Sequence, residues 1–185
     1  MMKRIRTRVV GAAAVLAPAL AAPAAAQEHG HGHFPIPGSM RLEHAEIHAA
    51  LERATHAPGR VGDAARELAR VLHPHFVREE QIALPPLALL RPLAEGRFDA
   101  SMAAVLPMTD SLRDELPRML REHQRIGQAA RDLERVAREE EHAEVEELAR
   151  KLQLHARSEE ELFYPAAVLV GELVRARLGQ AAPHP

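Results

Sequence analysis

The sequence predicts an all-α fold, an up-down-up-down antiparallel four-helix bundle made of two related helical hairpins. Three observations predict it. The 185-residue chain is 46% hydrophobic but only 3% aromatic, and it is dominated by Ala, Leu, Arg and Glu, all strong helix formers. Apolar residues recur in steps of three and four through four stretches, the period of helices with one buried face. The second half also echoes the first. Glu43-His44 with Ile47 returns 79 residues on as Glu122-His123 with Ile126, and His75, Glu79-Glu80 and Pro85 return 80 residues on as His155, Glu159-Glu160 and Pro165.

The first 26 residues read as a secretory signal. Lys3, Arg4, Arg6 and Arg8 form a basic start, Val9 to Ala22 a small-residue apolar stretch, and Ala24-Ala25-Ala26 an A-x-A cleavage site. The apolar stretch is about fourteen residues, too short to span a bilayer comfortably. The expectation is export to the periplasm or medium, with no membrane span in the mature chain. Removing the leader takes away four basic and no acidic residues, moving the formal net charge from −2 to −6. Nothing in that balance suggests nucleic acid. Residues 27 to 39 (QEHGHGHFPIPGS) read as a flexible His/Gly/Pro-rich linker, in which His29, His31 and His33 could bind a metal loosely.

The bundle is expected over residues 40–180. Its first helix runs roughly from Arg41 to His56, ending at Ala57-Pro58-Gly59, and its second from Gly62 to Leu84, with Pro74 inside. A connecting segment covers Pro85 to Asp99. The third helix runs roughly from Thr109 to Arg138, with Thr109 or Asp110 as N-cap and Pro117 inside. A turn near Glu139 to Glu141 leads to the fourth, from His142 to Tyr164, where Pro165 is expected to break it before a short tail helix. Pro74 and Pro117 predict a kink or a late start.

The chemistry lies where polar residues interrupt the apolar stripes. The stripes read Met40, His44, Ile47, Leu51; then Leu68, Val71, His75, Glu79, Ile82. The third is Leu112, Leu116, Met119, His123, Ile126, Ala130, Leu133, and the fourth Val145, Leu148, Leu152, His155, Glu159, Leu162. Each helix puts a histidine on its buried face, and two add a glutamate one turn later. An uncompensated buried carboxylate costs at least several kcal/mol, and two close together would force one to take a proton. A pair of cations removes the problem. With no cysteine in the chain, thiolate zinc sites, iron–sulfur clusters and disulfides are excluded, and imidazoles and carboxylates are the strong ligands left among 12 histidines and 26 acids. Glu43, Glu80, Glu122 and Glu160 sit off the stripes, as partners to buried imidazoles or as solvated surface. Tyr164 either covers one end of the site or packs at a helix terminus. A ferritin-like di-iron oxidase needs Glu-x-x-His on two helices, whereas outside the linker the chain has one match, Glu139 to His142, at a helix boundary.

Two His-x-x-x-Glu elements, each some thirty residues after Glu-His-x-x-Ile and each followed by the same proline, resemble the hemerythrin / HHE cation-binding family from about Met40 to Pro165. That resemblance implies a four-helix bundle around a non-haem di-iron centre, two oxo- or hydroxo-bridged Fe per chain, although imidazole also suits Zn and other divalent metals. It implies His44, His75, Glu79, His123, His155 and Glu159 as ligands, the glutamates bridging, with His48 as a fifth imidazole. The animal oxygen carriers have a histidine one turn after the third-helix ligand, where this chain has Gly127. The implied partners are O2, NO or peroxide, bound or sensed. The rival readings are an exported carrier of Zn, Cu or Ni fed by the His29–His33 tract, and an enzyme such as a peroxidase or an iron donor for damaged centres.

Overall fold

The computed structural model describes residues 34–179; the leader, and the linker through His33, lie outside them. All regular structure in the described part is helical. The four main helices are α1 (Gly38–Thr55), α2 (Gly59–Ile82), α4 (Leu106–Glu139) and α5 (Ala143–Ser158). A short helix α3 (Leu90–Ala94) and two 3₁₀ turns, Pro85–Leu89 and Ala100–Val105, join α2 to α4. Beyond α5 a π-helical turn, Glu159–Phe163, runs straight into α6 (Tyr164–Arg177).

α1 packs on α2 and α5, and α4 packs on the same two, closing a four-helix ring that α6 extends along α4. One apolar cluster draws on Ile47 and Leu51, Leu68 and Leu72, Ile126 and Leu133, and Leu152. A second gathers Met40, Ile82, Leu84, Leu112, Met119 and Tyr164. Along every main helix the histidines and glutamates of the stripes fall between these two clusters, and a third cluster, Leu89, Val105, Leu106, Val170 and Val174, packs α6 against the connecting segment. Arg60 to Glu139 at 2.7 Å and Lys151 to Glu46 at 2.6 Å tie neighbouring helices on the outside, where such pairs contribute about 0–1 kcal/mol each.

The structure corrects three expectations. α4 begins at Leu106, so neither Thr109 nor Asp110 is its N-cap. The 3₁₀ turn before it feeds directly into the helix, Pro107 fits the first turn without an amide to place, and the buried Thr109 hydroxyl donates to Leu106 O at 3.1 Å. Thr109 marks a close helix crossing, because a Cβ on Gly171 of α6 would meet its Oγ1 at 2.2 Å. Pro74 and Pro117 lie inside continuous helices, so neither marks a late start, and both residues are exposed. Pro165 does not end the fourth helix either. The chain absorbs it with the π turn, in which the Tyr164 amide donates to Glu159 O, five residues back.

That extra residue rotates everything after Glu159 by about 100° relative to an unbroken α-helix. Leu162, expected in the buried stripe, is 62% exposed, and Tyr164 is turned inward instead, 1% exposed. α2 ends with the same i to i+5 bond, Leu84 N–H to Glu79 O at 3.0 Å, and again a proline follows.

The two inter-helix turns differ. α4 closes with a left-handed residue, Glu141 at φ 61°, capped by His142 N–H to Ala137 O at 2.8 Å. Between α1 and α2 the left-handed residue is Gly59, at φ 73°.

Candidate metal centre

Four helices deliver six donors to one point between the apolar clusters. His44 comes from α1, His75 and Glu79 from α2, His123 from α4 and His155 from α5, with Glu159 opening the π turn. All six are at most 4% exposed. They form two groups, His44, Glu79, His155, Glu159 and His75, Glu79, His123, Glu159, each with ligand atoms within 4.8 Å of one another. Donors about 2.1 Å from a shared cation lie roughly 3–4 Å apart, so each group matches the size of a coordination shell.

The glutamates belong to both groups, one oxygen to each. Glu79 Oε2 lies 3.9 Å from His44 Nε2, and its Oε1 lies 3.3 Å from His75 Nε2 and 3.8 Å from His123 Nε2. Glu159 Oε1 lies 3.6 Å from His44 Nε2 and 3.1 Å from His155 Nε2, and its Oε2 lies 3.4 Å from His123 Nε2. Each carboxylate thus faces both groups at once.

Proximity here is not hydrogen bonding. His44 Nε2, His155 Nε2, Glu79 Oε2 and both Glu159 oxygens are buried with no hydrogen-bond partner. Buried polar atoms left in that state are rare and costly, and these converge on one space. Cations of the right size would satisfy all of them. The donor set, imidazole and carboxylate without thiolate, suits iron and zinc alike, so the residues fit the metal pair that the sequence predicts.

Each imidazole has a glutamate behind it, and three are held by a hydrogen bond. Glu80 Oε1 lies 3.2 Å from His44 Nδ1, Glu122 Oε2 3.0 Å from His75 Nδ1, and Glu160 Oε1 2.9 Å from His123 Nδ1. A carboxylate can only accept, so each of these Nδ1 atoms donates, which leaves its Nε2 as the ligand atom turned to the centre. The fourth contact, Glu43 Oε1 to His155 Nδ1 at 3.4 Å, is near but not aligned as a hydrogen bond. Of the two roles open to Glu43, Glu80, Glu122 and Glu160, all four take the position behind an imidazole.

Electrostatics follow from the packing. Burial pushes each of the four imidazoles down, but the facing carboxylates outweigh it and hold His44, His75 and His155 above their ordinary value. His123, faced by both Glu159 and Glu79, is raised from 6.5 to about 10. Burial pushes Glu159 up, yet His123, His155 and His44 around it hold its carboxyl well below the usual range. Without a metal, protons on the imidazoles balance the two carboxylates.

His48 stands apart from both groups. It is half-buried, its ring edge-on to His73 at 5.6 Å and to Phe76 at 5.3 Å, and burial with its neighbour His73 pushes it down. The same Phe76 ring stacks on the His44 imidazole at 3.9 Å and 9°. Sequence reasoning did not single out Phe76, because it sits beside His75, one position off the stripe.

Tyr164, left open from the sequence, enters the centre. Its hydroxyl donates to Glu79 Oε1 and lies 3.1 Å from His123 Nε2 and 3.5 Å from His75 Nε2. Burial, then the charges of Glu79 and Glu159, push the phenol far above its ordinary value. The signal that could have found it is Pro165, which forces the widened turn.

No helix among the described residues is long and apolar enough to cross a membrane. No curated protein and no solved structure gives a match to this chain. The sequence profile of the Hemerythrin HHE cation binding domain matches residues 36–167, from the last linker residues through the π turn and into α6. With the match covering well over half of the chain and both donor groups, the protein belongs to the hemerythrin HHE cation-binding family.

Proposed function

We propose that this protein is exported and holds a non-haem di-iron centre that binds O2, with NO or peroxide as alternative small ligands. One observation carries the reading: two four-donor groups share two carboxylates, each carboxylate giving one oxygen to each group. In this reading His44 and His155 would hold one iron and His75 and His123 the other, with Glu79 and Glu159 available to both. The pairing of α1 with α2 and α4 with α5, and the 79- and 80-residue offsets between matching donors, support two hairpins in an up-down-up-down bundle about an approximate two-fold.

Two ferrous ions held there would supply the two electrons that an oxidant such as O2 takes up on binding. The chain's own residues do the rest. Four imidazoles would present Nε2 to the metal, glutamates on the outer nitrogens of His44, His75 and His123 fix the orientation of those three rings, and apolar clusters flank the centre.

The test is anaerobic loading with Fe(II), metal analysis, and an optical spectrum on admitting air. About two iron per chain and a visible charge-transfer band are expected, matching the two donor groups. A Glu79→Ala, Glu159→Ala double variant should lose most of that metal. Full retention in the double variant, or a colourless protein that takes zinc and refuses iron, overturns the assignment. For export, the amino terminus of the protein recovered from the periplasm or medium is expected at Gln27, and an intact Met1 there counts against cleavage.

A further inference from the structure

We propose that the Tyr164 phenol oxygen is itself a ligand of the cation held by His75 and His123, so that the two cations of the centre have different donor sets. The proposal rests on the reading that the cluster holds cations, and it adds a donor that lies outside the His and Glu groups.

The geometry carries it. Tyr164 Oη stands 3.1 Å from His123 Nε2 and 3.5 Å from His75 Nε2, and it is bonded to Glu79 Oε1. The His–Glu contacts within that group run from 3.3 to 3.8 Å, and all four ligand atoms lie within 4.8 Å of one another. The phenol oxygen is thus spaced like a fifth member of the shell. All of its polar neighbours belong to the centre: it bonds no backbone carbonyl and no group outside the donor set. It is also 1% exposed, so water does not compete for it.

The backbone is shaped to bring it there. In an unbroken α-helix the position four after Glu159 faces the core, and that residue is Phe163. The π turn instead carries residue 164 to the centre, and such turns occur frequently at functional sites. The matching position after Glu79, with the same i to i+5 bond, holds Leu84, which is fully buried and has no donor atom. On that side His44 is covered by the Phe76 ring. The cation at His44 and His155 therefore has no phenol, and the cation at His75 and His123 does. On coordination the phenol gives its proton to solvent and its oxygen lone pair to the metal, with no electron transferred and no further reactant.

The chain has a single tyrosine, which makes the test clean. The full chain is loaded with Fe(II) under nitrogen and, in parallel, with Zn(II) at neutral pH, and metal content is measured on the same samples. With either metal, the ultraviolet difference signal of phenol ionisation is expected, amounting to about one tyrosinate per loaded chain. The oxidised iron protein should also show phenolate ring modes in its visible resonance Raman spectrum. Tyr164→Phe should abolish both signals and weaken one of the two binding events about tenfold, which is about 1.4 kcal/mol, while circular dichroism shows the helices intact. Metal bound with no tyrosinate signal from the wild type overturns the inference and leaves the di-metal reading standing. No metal bound by the wild type overturns both.

Discussion

The α1–α2 and α4–α5 hairpins carry the same donors and cover them differently. His44 corresponds to His123, His75 to His155, Glu79 to Glu159, and the outer partners Glu80 and Glu43 correspond to Glu160 and Glu122. Around that frame three positions diverge: His48 against Gly127, Phe76 against Ala156, and Leu84 against Tyr164. In the first hairpin a groove of about 310 Å³ runs between the helices past His73 and stops at His48, with Phe76 lying over His44. In the second, where Gly127 and Ala156 take the places of those rings, a groove of about 270 Å³ between Arg131 and Arg157 reaches His123 itself. The two halves share what binds and differ in what covers. A donor set leaves little freedom in residue type or spacing, whereas the lid over it is free to change.

The largest effect is expected from giving the second hairpin the lid of the first. Gly127→His with Ala156→Phe should close the groove over His123, since a Cβ at Gly127 meets only the flexible end of Arg131, at 3.4 Å. Azide binding to the oxidised, iron-loaded protein, followed by stopped flow, should slow about tenfold, a barrier rise of about 1.4 kcal/mol, with metal content unchanged. An unaltered rate would mean that the two grooves do not differ as routes to the centre.

A smaller effect is expected from pH on the metal-free protein, in which both halves carry protons in place of cations. The raised histidines contribute stability that is complete below their unfolded value of 6.5 and is lost as pH climbs through the folded values, about 10 for His123. Glu159 is depressed, so its contribution is present above its ordinary 4.5 and lost as pH falls through the lower folded value. The metal-free Tm should therefore be highest between these limits and fall by on the order of 5–10 °C toward pH 10. The loaded protein should not follow it, because metal has replaced the protons. A metal-free Tm that rises with pH above 7 would contradict the proton-filled centre.

The smallest expected effect concerns the turns. The α1–α2 turn places glycine in its left-handed position, and the α4–α5 turn places Glu141 there. Glu141→Gly should remove a backbone cost of about 1 kcal/mol and move the denaturant midpoint up without touching the centre. A lower midpoint would mean that the Glu141 side chain contributes more than its backbone costs.

How much of this was legible varied with the kind of signal. His44, His75, Glu79, His123, His155 and Glu159 stand out in the sequence because helical spacing turns a polar residue on an apolar stripe into a prediction of burial, and all six are buried and gathered. Glu80 and Glu160 lie about 100° around the helix, where a partner to an imidazole and a surface charge look alike until the neighbouring helix is in place. His48 illustrates the limit of periodicity. It is one turn from His44, yet it stands outside both donor groups, edge-on to a ring from another helix. Leu162 and Tyr164 exchanged roles because 3.6-residue spacing does not carry through a turn with one residue more.

The π turn has a consequence for how this chain tolerates length changes. Deleting any one of residues 160–163 would let an ordinary helix continue, with every donor up to Glu159 still in place. The tyrosine would then stand four residues after Glu159, the position that faces the core, so the phenol and the seat of Gly171 on Thr109 would keep their places. Adding a residue instead would swing the terminal segment about a quarter-turn around its own axis and carry both away. Here the spare residue works as slack in the chain, which can be taken in but not let out further.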